Sequence, residues 1–203
     1  MADARSLEVS AVEKPEYESP VVRSYPAAEA GDLTLSDASA TTKWLVRASA
    51  QGPTADLLGA RFGSSQVAAG GALVLGSRPG EWIVLGTPEE VSAAVAELDG
   101  LDSQEFMSAL DWTHGRAMFR VTGRESARML EKVCSLDWAD PMMPDGAVAS
   151  ASVAKVTCDI ARNDAYAAPS YLIFCDRSFG QYLFDALIDA GDEFGVSVVA
   201  AAT

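Results

Sequence analysis

The side chains that most often carry chemistry are scarce in this chain. Among 203 residues there is one histidine, His114. A histidine-based triad needs an activated serine or cysteine and an orienting acid gathered around it in space. Asp111 and Thr113 stand close by in sequence, but that spacing suits a turn leading into a strand better than a relay. The three cysteines, Cys134, Cys158 and Cys175, are odd in number and far apart. They make no disulfide framework and no metal-type spacing, and are expected as buried reduced thiols. The glycines of AAGGALVLG match neither GxGxxG nor GxxxxGK[ST], so no nucleotide or flavin fingerprint is present. No apolar run approaches the roughly 20 residues of a membrane span. The opening MADARSLEVSAVEKPEYESP lacks the basic start and apolar core of a secretory leader. The expectation is a cytoplasmic protein with no membrane partner. Positive charge is also thin, with 15 Lys and Arg against 29 Asp and Glu and a net charge of −14. Such a surface repels phosphate backbones, so nucleic acid is not an expected partner. Carboxylate pairs such as Glu89 with Glu90, or Asp189 with Asp192, read as solvated helix surface.

What is present is patterned. Hydrophobic residues make up 49% of the chain, enough for a well-filled core. Residues 1–30, interrupted by Pro15, Pro20 and Pro26, read as a flexible N-terminal arm, disordered or laid across a partner. Residues 31–203 read as one domain of two similar halves, about 31–100 and 105–199. In the first half, Trp44, Val46 and Ala48 alternate with Lys43, Arg47 and Ser49, the pattern of a half-buried strand. Pro53 opens a short helix, and ALVLG and EWIVLG are strands joined by Ser77–Gly80. Thr87, Pro88 and Glu90 make a capping box for a helix with the stripe Val91, Ala94, Val95 and Leu98.

The second half repeats the order. Ala117, Phe119 and Val121 alternate with Arg116 and Arg120. Thr122 and Glu125 suggest a capping box for the helix ESARMLEKVC. The connector CSLDWADPMMPDG follows, then a long strand with Val156, Cys158 and Ile160 on one face. YLIFC is apolar throughout, as in a strand covered on both sides. Ser178 and Gln181 suggest a third capping box, for a helix with Phe179, Tyr182, Leu183, Ala186, Leu187 and Ala190 on its buried face. The fold class expected is α+β, with two pseudo-symmetric β-α-β-β-α halves. Trp112, Trp138, Met142 and Met143 are candidates either for a subunit interface, where such side chains are enriched, or for ordinary core packing.

The run DWTHGRAMFRVTGRESARMLEKVCSLDW resembles the folate-binding aminomethyltransferase superfamily, which includes the glycine-cleavage T-protein. Asp111, Thr113, His114, Thr122, Gly123, Ala127 and Leu130 occupy the places of its motif, with Thr113 where Ser is usual. Cys134 to Asp137, Pro144 to Gly146, and Arg177-Ser178-Phe179 followed by Tyr182-Leu183 resemble more closely the gamma subunit family of heterotetrameric sarcosine oxidase. The resemblance is best over 105–195 and weaker over 33–98. It implies a folate-binding-domain-like fold and a non-catalytic subunit packed on large alpha and beta flavoprotein chains. Those chains would hold the flavin, the NAD and the tetrahydrofolate of an enzyme that demethylates sarcosine. TCDIARNDAYAAPSYLIF lacks the Gly-rich, acid-bearing loop of T-proteins, and the Lys-Gly-Cys-Tyr signature of related iron–sulfur assembly proteins is missing. The competing expectation is a stand-alone tetrahydrofolate-binding protein with Asp111, His114 and Arg116 at a ligand between the halves, or a ligand-free assembly or regulatory protein.

Overall fold

A computed structural model describes residues 16–26, 32–101 and 105–199. The first half supplies β1 (Leu33–Asp37), β2 (Thr42–Arg47), α1 (Pro53–Leu58), β3 (Ser65–Val67), β4 (Leu73–Arg78), β5 (Glu81–Gly86) and α2 (Pro88–Asp99). The second supplies β6 (Ser108–Asp111), β7 (Arg116–Gly123), α3 (Ser126–Glu131), β8 (Val148–Val153), β9 (Val156–Arg162), β10 (Ser170–Asp176), α4 (Gly180–Gly191) and β11 (Ser197–Val199).

These elements form two sheets, β11-β1-β7-β10-β9-β8 and β3-β4-β5-β2-β6. The order β7-β10-β9-β8 in one sheet recurs as β2-β5-β4-β3 in the other, with every pair antiparallel. Each sheet takes a further strand from the other half: β1 pairs with β7, and β6 pairs with β2. Each run is therefore β-α-β-β-β-α, one strand longer than the sequence pattern indicates. In the second half the extra strand is β8, which precedes the expected long strand, now β9, and forms a hairpin with it. Its tip is Ala154 and Lys155, both at positive φ (47° and 69°). A two-residue turn of that kind usually advertises itself with Asn or Gly, and here neither is present.

The two sheets pack face to face, with helices on the outer side of each. Between the sheets lie Leu45, Leu75, Ile83, Leu85, Met118, Leu172 and Phe174. Outside the six-stranded sheet, Phe119, Ile160, Ile173 and Tyr171 meet Met129, Leu130, Leu183, Phe184 and Leu187 of α3 and α4. Outside the five-stranded sheet, Val46, Val74, Trp82 and Val84 meet Leu58, Val91 and Leu98. This layering explains β10: Tyr171, Ile173 and Cys175 face the helices, while Leu172 and Phe174 face the second sheet, so every residue but Asp176 is buried. Along one corner the sheets are stitched together, where Ser65 N–H donates to Gly146 O (2.7 Å) and Val148 N–H to Gly63 O (2.9 Å).

Of the expected caps, the Thr87–Glu90 box forms in full. The other two do not. Strand β7 runs on to Gly123, and Thr122 Oγ1 is paired with Ser170 Oγ (2.8 Å), so Thr122 cannot reach α3. Gln181 is turned away from Ser178 to hold the N-terminal segment. Helix α4 begins at Gly180 after a tight turn over Arg177–Phe179. Its buried stripe is Gly180, Leu183, Phe184, Leu187 and Ala190, which leaves Phe179 and Tyr182 about half exposed instead of buried.

Of the arm, residues 1–15 and 27–30 lie outside the described residues. Residues 16–26 lie against the chain's own domain. Pro20 is buried against Gly180, and the ring of Tyr25 packs on Phe184 with centroids 5.2 Å apart.

Candidate functional site

The turn that carries Asp111, Trp112, His114 and Arg116 joins the edge strand β6 to the central strand β7. It is locally well made. Asp111 Oδ1 accepts from Thr113 N–H (2.9 Å), Gly115 N–H donates to Trp112 O (3.0 Å), and Lys43 N–H donates to Thr113 Oγ1 (3.1 Å). An Asp two residues before its donor is an Asx turn, which explains why this Asp precedes this Thr.

The three ligand-binding candidates do not converge. Asp111 is exposed and spends one carboxylate oxygen on the turn. His114 is exposed on one side and packs on Tyr17 on the other, with ring centroids 5.3 Å apart. Arg116, expected on a polar face, is buried, because that face of β7 meets the second sheet instead of water. There it belongs to a chain of six alternating charges. Arg47 Nε meets Glu81 (2.8 Å), Glu81 meets Arg78 (2.5 Å), and Arg78 meets Asp159 (3.1 Å). Asp159 meets Arg116 (2.9 Å), and Arg116 meets Asp176 (2.8 Å). Ser150 donates to Asp159 (2.6 Å), and the Trp112 ring lies 4.7 Å from the Arg116 guanidinium carbon. The Arg78–Asp159 link crosses from one sheet to the other. Burial pushes the Glu81 carboxyl up, but Arg47 and Arg78 outweigh it, so the group lies below the usual carboxylate range.

The space expected to hold a ligand between the halves is therefore filled, by apolar side chains and by this ionic chain. Two grooves open on the outside. One of about 580 Å³ is lined by residues including Arg61, Phe62, Arg78 and Trp82, and one of about 370 Å³ lies at Arg47–Ser49, Glu105 and Phe106. Neither includes Asp111, His114 or Arg116. Among the described residues, no three His, Cys, Asp or Glu side chains gather as a metal site, and no helix is long and apolar enough to cross a membrane.

The interface candidates divide. Trp138 and Met143 are core residues, 2% and 4% exposed, and Trp138 packs edge-on against Tyr171 with centroids 5.2 Å apart. The connector is held down from inside by Arg162, which donates to Met143 O (2.7 Å) and pairs with Asp140 and Asp164. Those two side chains are not available to another chain. Met142, at 65% exposure, and the partly exposed Trp112 are.

Two features beside the turn give no signal in sequence. Lys43, which alternates like a surface residue, is fully buried, with its ammonium donating to Ser39 O (2.7 Å) and Thr41 O (2.6 Å). Burial lowers its pKa to about 8, against the pull of Asp37 and Asp111. Arg177 donates its backbone N–H to Gly115 O (3.1 Å), tying the start of α4 to the same turn.

No protein-family model matches the chain, and no curated protein matches it in sequence. Solved structures do match. A chain of the heterotetrameric sarcosine oxidase from Corynebacterium sp. U-96 superposes with a TM-score of 0.69 at 25% identity, over 86% of this chain and 89% of that one. The two chains are thus nearly equal in length. The aminomethyltransferase T of the glycine cleavage system from Bartonella henselae superposes with a TM-score of 0.62 at 15% identity. That match covers 83% of this chain, but this chain spans only about half of that protein. The mixed α+β, two-sheet fold is thus similar to that of the aminomethyltransferase, and the resemblance read from the sequence agrees with both structural neighbours.

Proposed function

We propose that this chain is a non-catalytic subunit of a cytoplasmic, multi-subunit sarcosine oxidase or a close relative, the counterpart of the gamma subunit. It would steady a large alpha chain beside a beta chain. The oxidative demethylation of the amine, and the flavin, NAD and tetrahydrofolate it requires, would belong to those larger chains. The observation that carries this reading is the superposition, over most of both chains, on one chain of the heterotetrameric enzyme. The recurring strand order and the exchanged strands β1 and β6 are consistent with a duplicated unit whose halves are bound together too tightly to leave a cleft.

The competing reading, a stand-alone tetrahydrofolate-binding protein using Asp111, His114 and Arg116, rests on the likeness to the T-protein fold. The geometry works against it, because Arg116 already meets two carboxylates and a buried guanidinium released from them would be costly.

The test is co-expression with the large flavoprotein chains of a sarcosine-oxidase-type enzyme, followed by native mass spectrometry. The expected result is stoichiometric co-purification, with flavin bound only when the large chains are present. A chain that remains a monomer without affinity for them overturns the reading. So does a calorimetric tetrahydrofolate signal from the isolated chain that Arg116→Met abolishes.

A further inference from the structure

The two sheets follow one strand order, but one of them stops a strand short. Strand β1 stands beside β7 as β6 stands beside β2. On its outer side β1 carries β11, paired in parallel as Thr34 with Ser197 and Ser36 with Val199. The matching place beside β6 holds no strand among the described residues. The other three sheet edges are short or already tied. Strands β3 and β11 are three residues long. At the start of β8 the Val148 N–H donates to Gly63 O, and at its end Val153 bridges to Cys134.

The backbone groups at the β6 edge can be assigned. Trp112 N–H donates to Lys43 O (2.8 Å), so the N–H and C=O of Leu110 and Ser108 also point toward β2. Those of Ala109 and Asp111 point the other way, where no strand receives them. The side chains beside them are apolar. Met107 and Ala109 pack against the outer layer that holds α2. Leu110 lies opposite Leu45 of the inter-sheet layer but is 58% exposed, and Phe106, just before the strand, is 86% exposed. A groove of about 370 Å³ opens between Phe106 and Arg47–Ser49. Ser108–Asp111 has no Lys, no Pro and no bulge, the usual guards against pairing with another chain.

We propose that the outer edge of β6 is a docking site for an extended segment of a larger partner chain, which joins the five-stranded sheet as its sixth strand. The occupant presents apolar side chains at alternate positions, to cover Leu110 and Phe106, and Lys or Arg near its ends, to meet Asp111 and Glu105. A second copy of this chain suits the edge poorly, because each copy carries a net charge of −14. The inference rests on the assembly reading above and names the surface by which a large chain holds this one.

The test uses the full chain, alone and co-expressed with the large flavoprotein chains, with single-residue amide hydrogen exchange and affinity as readouts. In the complex, exchange at Ala109 and Asp111 should slow at least about tenfold, while Leu110, already bonded to β2, changes little. A neighbour that merely covers the surface would slow all three alike. Ala109→Pro removes an N–H that the fold leaves unused, and should weaken binding at least about tenfold. Leu110→Lys keeps the backbone but sets a charge among the apolar contacts, and should weaken binding as much, whereas Leu110→Met should bind as wild type does. If the wild-type chain does not join the large chains, the assembly reading falls and takes this inference with it. If it joins but both variants join as well, or the alternating protection is missing, the docking edge alone falls. Ala109 and Asp111 amides already slow in the isolated chain, or a dimer that Leu110→Lys dissolves, would assign the edge to this chain itself and overturn the choice of partner. Should Ala109→Pro fail to fold, Leu110→Lys and the exchange pattern decide.

Discussion

Asp159 is the point at which the two sheets exchange charge, and replacing it tests whether the ionic chain is structural. Asp159→Leu removes the carboxylate shared by Arg78 and Arg116 and the acceptor of Ser150. Removing one member of a buried ion pair costs about 3–5 kcal/mol, because the partner remains buried and uncompensated. Two facts place this case at the lower end. The Arg78 side chain is 44% exposed and can be rehydrated, and Arg116 keeps Asp176. The expected loss is therefore ~3 kcal/mol. With a urea m-value of roughly 2–3 kcal/mol/M, the unfolding midpoint falls by about 1 M, read by tryptophan fluorescence. Adding Arg116→Met removes the more deeply buried of the two guanidinium groups that lose Asp159, and the double variant should recover at least half of the loss. A midpoint drop below ~0.3 M for Asp159→Leu, or a double variant as unstable as the sum of the singles, refutes the argument. Either result would free Arg116 for a role with a ligand.

Three further outcomes follow from the buried groups. Lys43 carries a folded-state pKa of about 8, below its unfolded value, so the folded form is penalised wherever the amine is charged in both states. Stability should rise as pH increases from about 8 toward the unfolded lysine value near 10.4, by an amount of order 3 kcal/mol. Lys43→Met should flatten that rise in urea titrations, and parallel profiles would refute the assignment. Burial pushes the Cys158 and Cys175 thiols up to about 12, so neither should react with Ellman's reagent at pH 8 until urea unfolds the chain; prompt native reaction would contradict this. Trp138→Ala should cost ~3–5 kcal/mol as a core cavity, whereas Met142→Ala should stay within ~0.5 kcal/mol of wild type and show its effect only in partner binding.

How much of this fold is legible in sequence depends on how local its causes are. The Thr87–Glu90 box is legible because both partners lie within one turn. The YLIFC strand is legible because burial on two faces removes alternation altogether. Lys43 misleads because its neighbours alternate as a half-buried strand should, and only the packing of the second sheet makes its side inward-facing. The β8–β9 hairpin hides because Ala154 and Lys155 hold φ values that sequence rarely assigns to them. Gln181 misleads in another way. Its spacing from Ser178 fits a cap, but its acceptor is taken by backbone donors some 158 residues away in the chain. The same holds for the site. Asp111 and His114 share one turn, but Tyr17, which packs on His114, and Arg177, whose N–H is tied to that turn through Gly115, come from distant segments with no motif of their own.

The interior and the exterior of this molecule make different demands on a function. Inside, the inter-sheet space is closed by tightly packed side chains and by the buried middle of the ionic chain, Glu81, Asp159 and Arg116, so a ligand could enter only by breaking contacts worth several kcal/mol. Outside, a chain of net charge −14 leaves Phe62, Phe106, Leu110, Met142 and Tyr166 well exposed. Scattered apolar anchors in an acidic field suit a partner surface with apolar recesses and a basic rim. For such a pair the rim charges govern how fast the chains meet, and the buried anchors govern how slowly they part. If the large chains proposed above are the partners and these side chains meet them, raising salt should slow association while leaving dissociation nearly unchanged, whereas Met142→Ala or Tyr166→Ala should do the reverse. Surface plasmon resonance separates the two rates. If salt instead acted mainly on dissociation, the contact would be held by the charges themselves, and the apolar anchors would have no part in assembly.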